Sequence, residues 1–152
     1  MTTLRSSVVA KHPITNGLIA MVRSGISKPV GDHEAPENAD LDVGYAIAYT
    51  IDGGSFEGAP LWATESDAWL VYQITSVGRK RDQAEAIADR VRLTILSRVA
   101  AGGFQVAFPD PAGMKVTGRE PDGTSPGVIP EGVKPNRVYN VPERYRFHVE
   151  ST

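Results

Sequence analysis

The sequence predicts an α+β fold: a four- to five-stranded antiparallel or mixed sheet with two helices packed on one face. Three observations carry that expectation. Residues 68–77 (Ala-Trp-Leu-Val-Tyr-Gln-Ile-Thr-Ser-Val) alternate in β-branched and aromatic character, as a central strand does, with Leu70, Tyr72, Ile74 and Ser76 on one side. Directly after Gly78-Arg79-Lys80-Arg81 the apolar period changes from 2 to 3.6, and Ala84, Ile87, Ala88, Val91, Ile95, Leu96 and Val99 form one helical stripe. Shorter alternating runs then flank this strand–turn–helix unit on both sides.

Taken in order, residues 1–11 are polar and read as extended or frayed. His12-Pro13 opens a helix with proline at its first position, and Leu18, Ile19, Val22 and Ile26 give it an apolar stripe that ends near Gly25. Residues 27–42 read as a loop holding Pro29, Gly31, Pro36 and the acids Asp32, Glu34, Glu37, Asp40 and Asp42. Residues 43–51 read as a strand with Tyr45, Ile47, Tyr49 and Ile51 on one face. Asp52-Gly53-Gly54-Ser55 is a turn signal, Phe56–Trp62 a loop with apolar anchors, and the connection back into 68–77 favours antiparallel pairing.

The long helix is expected from Asp82 to about Val99, capped by Asp82 with Glu85 at capping-box spacing and ended by Gly102-Gly103. Beyond it, 104–108, 114–117 and 144–150 are short strand candidates; Tyr145, Phe147 and Val149 alternate with charges in the last. Seven of the 11 prolines fall between Pro109 and Pro142, so this stretch reads as a Pro/Gly-rich arm of short strands and extended loops suited to recognition, or else as a segment that stays disordered until a partner arrives. One domain over residues 1–152 is the expectation for a chain of this length.

Composition narrows the function. With no cysteine there are no disulfides and no thiolate metal ligands. A net charge of -2 gives no general attraction to nucleic acid, so only a local patch could supply one. No stretch approaches the ~20 apolar residues that span a bilayer, and the start of the chain has no apolar signal core, so a soluble protein with no membrane association is expected.

Catalytic chemistry finds little support. His12, His33 and His148 fall in different elements without metal-ligand spacing, and no glycine pair stands in strand–glycine–helix order with a following lysine. Asp40 and Asp42, one residue apart on an extended segment, could present carboxylates as metal-dependent nucleases do, and this is the enzyme alternative. No metal, cofactor or catalytic residue is expected. Charge is more informative: Arg79, Lys80 and Arg81 form a basic turn, solvated or in contact with phosphates or with an acidic loop (Asp32, Glu34, Glu37) of a second copy. Phe56, Leu61 and Trp62 are candidate interface anchors, or else fold back over the sheet edge.

The runs Val43–Tyr49, Gly53–Trp62 and Asp67–Arg79, with the helix motifs Gln83-Ala84-Glu85 and Ala88-Asp89-Arg90-Val91-Arg92, resemble tail terminator proteins of long-tailed (siphovirus-type) actinobacteriophages over roughly residues 12–99. The resemblance implies a sheet with helices against it and a non-enzymatic role. The family forms a hexameric ring at the head-proximal end of the tail tube, ends tube polymerisation and joins the tail to the head. It also implies partners: copies of the same chain, the tail tube protein, head–tail connector or neck proteins, and genomic DNA passing through the lumen without its sequence being read. The expected location is the virion, at the head–tail junction, after synthesis in the bacterial host cytoplasm. Another neck component, a head-completion or connector-adaptor protein, is the alternative within the same class.

Overall fold

The computed structural model describes residues 9–51 and 67–152. Two helices and six strands follow in the order α1 (Lys11–Ile26), β1 (Val30–Asp32), β2 (Tyr45–Thr50), β3 (Asp67–Gly78), α2 (Arg81–Leu96), β4 (Met114–Pro121), β5 (Ile129–Glu131) and β6 (Val138–Ser151). The α+β class is as expected from the sequence, but the sheet has six strands where four or five were expected. Its order is β1-β2-β3-β6-β4, and β5 also pairs with β6. It is mixed: β1 runs parallel to β2, and every other pairing is antiparallel.

β3 and β6 form the spine. They pair from Asp67↔Glu150 to Gly78↔Tyr139, and directly opposed residues share a face. Ala46 and Ala48 therefore lie level with Ser76 and Ile74, and Tyr72, Leu70 and Ala68 with Tyr145, Phe147 and Val149; all are buried. Both helices cover this face. α1 contributes Ile14, Leu18, Val22 and Ile26, α2 contributes Ile87, Val91 and Ile95, and together with the sheet residues they make one apolar cluster. A hydrogen bond of 2.9 Å between Thr15 Oγ1 and the Tyr72 hydroxyl ties α1 to the centre of the sheet.

Several boundaries differ from the sequence expectation, each for a local reason. β1 lies inside the stretch read as a loop. Gly31 permits it, because a Cβ there would stand 1.8 Å from the carbonyl oxygen of Glu34, where the following loop folds over the strand. α2 has no side-chain cap: Lys80 is the cap residue, and Gln83 Oε1 accepts the Arg79 N–H at 2.9 Å in its place. Glu85 pairs with Arg81 and takes no part in a capping box. The helix ends at Leu96, and Gly102, at φ +97, turns the chain in a tight connection that brings Phe104 beside Arg98. Consequently Val99 lies outside the helix and is exposed, and 104–108 is an isolated bridge, not a strand.

The Pro/Gly-rich stretch 109–142 contributes β4, β5 and the beginning of β6. β4 and β5 lie along the same edge of β6, one against 145–151 and the other against 138–140. β6 begins six residues earlier than the 144–150 run, passing through Pro142. The Pro142 carbonyl accepts from Ser125 Oγ at 2.9 Å, on the edge away from β3 and in the gap between β4 and β5. N–H and C=O of one strand residue point the same way, so the missing donor costs no ladder bond.

Candidate assembly surfaces

Arg79, Lys80 and Arg81 occupy the turn from β3 into α2, and across from them lies the turn from β5 into β6. The two turns enclose an open cleft of 440 Å³ lined by Arg79, Lys80, Arg81, Lys134, Pro135, Arg137 and Tyr139. Two of its five cations are neutralised within the chain. Arg79 Nε donates to Asp42 Oδ1 at 2.6 Å, and Arg81 Nη1 donates to Glu85 at 2.9 Å, the latter raising the Arg81 pKa. Lys80, Lys134 and Arg137 have no acidic partner among the described residues; Arg137 donates only to the Gly132 carbonyl. Lys134 and Arg137 are distant from the basic turn in sequence. Only the pairing of β3 with β6, which sets Gly78 opposite Tyr139, brings the two turns together.

The acidic loop leaves β1 at Asp32 and returns to β2. His33 anchors its start: Nδ1 donates to Asp32 at 2.5 Å, Nε2 accepts the Thr50 N–H at 3.0 Å, and the His33 N–H meets the Ala48 carbonyl. Its end is held by Arg79 and by Gln83 Nε2, which donates to the Asp42 carbonyl at 2.8 Å. Asp40 Oδ1 accepts the Asp42 N–H, so the two carboxylates considered as a metal pair are occupied in shaping the loop and in the Arg79 contact. Glu34 and Glu37 remain exposed and without a cationic partner among the described residues.

The sheet face away from the helices presents Tyr45, Ile47, Tyr49, Val77 and Ile129 along an open groove of 620 Å³. Further along this face Trp69 lies against the His148 ring, with centroids 4.8 Å apart, and Arg146 stacks on its indole. His148 Nε2 donates to Asp67 at 3.0 Å, leaving Nδ1 to accept from the Thr117 hydroxyl at 2.8 Å. Asp67, His148 and Glu150 bring ligand-type atoms within 4.8 Å of one another, a cluster the sequence spacing did not reveal. Both imidazole nitrogens serve hydrogen bonds, so the cluster acts as a polar strap across β3, β6 and β4. Phe56, Leu61 and Trp62 lie outside the described residues.

Elsewhere buried charge serves packing. Arg119 is buried in β4, donates to the Ile95 carbonyl and stacks on Phe104, whose other contact is Arg98. Burial lowers its pKa, with Asp110 opposing and Arg98 adding to that shift. Arg92 on α2 grips Glu143 of β6 with Nη2 contacts of 2.7 and 2.9 Å; this hydrogen bonding raises the Arg92 pKa against the opposing effect of desolvation.

No protein-family model matches the chain, and no curated protein matches it by sequence. Among solved structures it is similar in fold to a chain described as "Virion of native gene transfer agent (GTA) particle", with a TM-score of 0.53 and 14% identity, covering 91% of this chain and 92% of that one. No helix among the described residues is long and apolar enough to cross a membrane. The likeness in overall fold thus runs nearly end to end through both chains.

Proposed function

We propose that this protein is a structural, non-enzymatic subunit of a phage-type virion, forming a ring at the head-proximal end of the tail tube, where it stops tube growth and joins the tail to the head. The supporting observation is the fold shared with a virion-particle chain over nine-tenths of both chains. The surfaces suit the role. The clefts are open, Asp40 and Asp42 are committed to loop structure, and Glu34, Glu37, Lys80 and Lys134 are exposed on loops and turns. Such surfaces recognise other proteins. The partners would be copies of the chain, the tail tube and the connector above it, with genomic DNA passing through the lumen unread.

The test is to add purified protein to polymerising tail tubes and to measure tube length and end structure by electron microscopy. Capped tubes of defined length bearing a ring are expected. A strictly monomeric protein that never caps tubes would overturn the reading. The likeness in fold also fits another neck component, which would bind portal-side rings and leave tube length unchanged, so tube length separates the two.

A further inference from the structure

Glu34 and Glu37 on one hand, and Lys134 and Arg137 on the other, lie beside opposite outer strands of the sheet. β1 is the outer strand on one side, and the loop carrying Glu34 and Glu37 folds over it. On the other side the β5–β6 turn carries Lys134 and Arg137, facing Lys80 across the cleft. With β2, β3 and β6 between them, β1 and β5 are four strand spacings apart, roughly 19 Å at ~4.8 Å each. Within one subunit, Glu34 and Glu37 form no ion pair with Lys134 or Arg137. The nearer pair is satisfied internally, since Asp42 at the end of the loop already holds Arg79.

We propose that the cleft of Lys80, Lys134 and Arg137 receives the Glu34–Glu37 segment of a second copy of this chain, joining subunits head to tail through opposite margins of the sheet. This rests on the ring reading and deepens it. Each subunit carries one cleft and one loop, so every copy gives and receives a contact, the heterologous arrangement that closes into a ring when the rotation permits. Arg137 can bind a carboxylate through a planar fork, and the two lysines supply point charges around it. Carboxylates fit better than a nucleic-acid backbone, because a chain of net charge -2 provides no long-range attraction for a polyanion while its acidic loop offers Glu34 and Glu37, both exposed.

The test is a charge swap in the full chain, with self-association followed by sedimentation velocity and mass photometry and folding checked by circular dichroism. Lys134→Glu/Arg137→Glu and, separately, Glu34→Lys/Glu37→Lys are each expected to weaken self-association at least about tenfold without loss of fold. An equimolar mixture of the two variants should regain it, since each then offers the margin the other lacks. A chain carrying all four reversals should also self-associate, and wild-type association should weaken as salt rises. If wild type assembles and the reversals leave it unchanged, or if the mixture fails to regain association, this interface is wrong while the ring reading stands. If wild type is monomeric at every concentration and salt, both fall. If the Lys134/Arg137 reversal abolishes retention of a duplex oligonucleotide but not self-association, the cleft is a phosphate site and the proposal is overturned.

Discussion

Arg79 donates from Nε to Asp42 Oδ1 at 2.6 Å, a contact between residues 37 apart in sequence that fastens the acidic loop to the turn entering α2. Gln83 completes the fastening, donating to the Asp42 carbonyl while accepting the Arg79 N–H. The ion pair is open to solvent, with Arg79 46% and Asp42 74% exposed, so screening keeps its contribution within about 1 kcal/mol. Asp42→Asn should therefore lower stability by no more than about 1 kcal/mol. Gln83→Ala should cost about 1–2 kcal/mol, since it leaves two backbone groups to find new partners. Urea midpoints at constant m-value check the order; a larger loss from Asp42→Asn would mean that the pair is the principal fastening.

Gly25 is where α1 lies tightest on α2. A Cβ there would meet Thr94 Oγ1 at 2.2 Å and Thr94 Cβ at 2.9 Å, and Thr94 is held by its own 2.7 Å bond to the Arg90 carbonyl. Alanine for glycine inside a helix ordinarily stabilises by ~1 kcal/mol. Here the overpacking should win, and Gly25→Ala should destabilise by about 1–3 kcal/mol. Gly25→Ala/Thr94→Ala should recover part of that loss, and a non-additive double-mutant cycle in denaturant unfolding is the check.

Two ion pairs on α2 should differ in weight. Arg81–Glu85 is an exposed i,i+4 pair, whereas Glu143, only 12% exposed, is gripped by Arg92 and holds α2 to β6. Glu85→Ala should cost at most about 0.5 kcal/mol. Glu143→Ala should cost about 1–3 kcal/mol, because hydrogen bonds to a charged group are lost near the core. Thermal unfolding of the two variants side by side measures the contrast.

Tyr72 and Tyr145 should make the fold sensitive to alkali. Burial pushes the Tyr72 hydroxyl from 10.0 up to about 12, with the Thr15 bond opposing, and burial raises Tyr145 as well. A phenol with a raised folded-state pKa stabilises the fold fully below its unfolded value and loses that contribution as pH climbs towards the folded one. Stability should thus fall between pH 10.0 and about 12. Phenolate absorbance from these two tyrosines should appear only as the protein unfolds. Titration of all the described tyrosines at pH 10 with the fold intact would contradict it.

Long, regular elements were legible in the sequence. β3 spans 12 residues, most of them in an alternating run, and α2 repeats an apolar stripe over 16, long enough for period to identify them. β1 and β5 are three residues each; Val-Gly-Asp and Ile-Pro-Glu carry no period, and their neighbours in the sheet decide their conformation. Pro142 truncated the expected last strand, because a sequence does not reveal that one edge of the strand will stand unpaired there. Of the candidate assembly surface, Arg79, Lys80 and Arg81 were visible as a run. Lys134 and Arg137 were not, since only the register of β6 on β3 carries them across.

β3, β4 and β5 each pair with β6, and all three precede it in the chain. As the polypeptide leaves the ribosome, β3, paired on one side only, and the unpaired β4 and β5 must wait on the order of seconds for their common partner. The acidic margin at β1 and β2 needs no such delay, because both strands and β3 are already present. The basic margin acquires its shape only when β6 docks. A nascent chain therefore completes its acidic margin before its basic one.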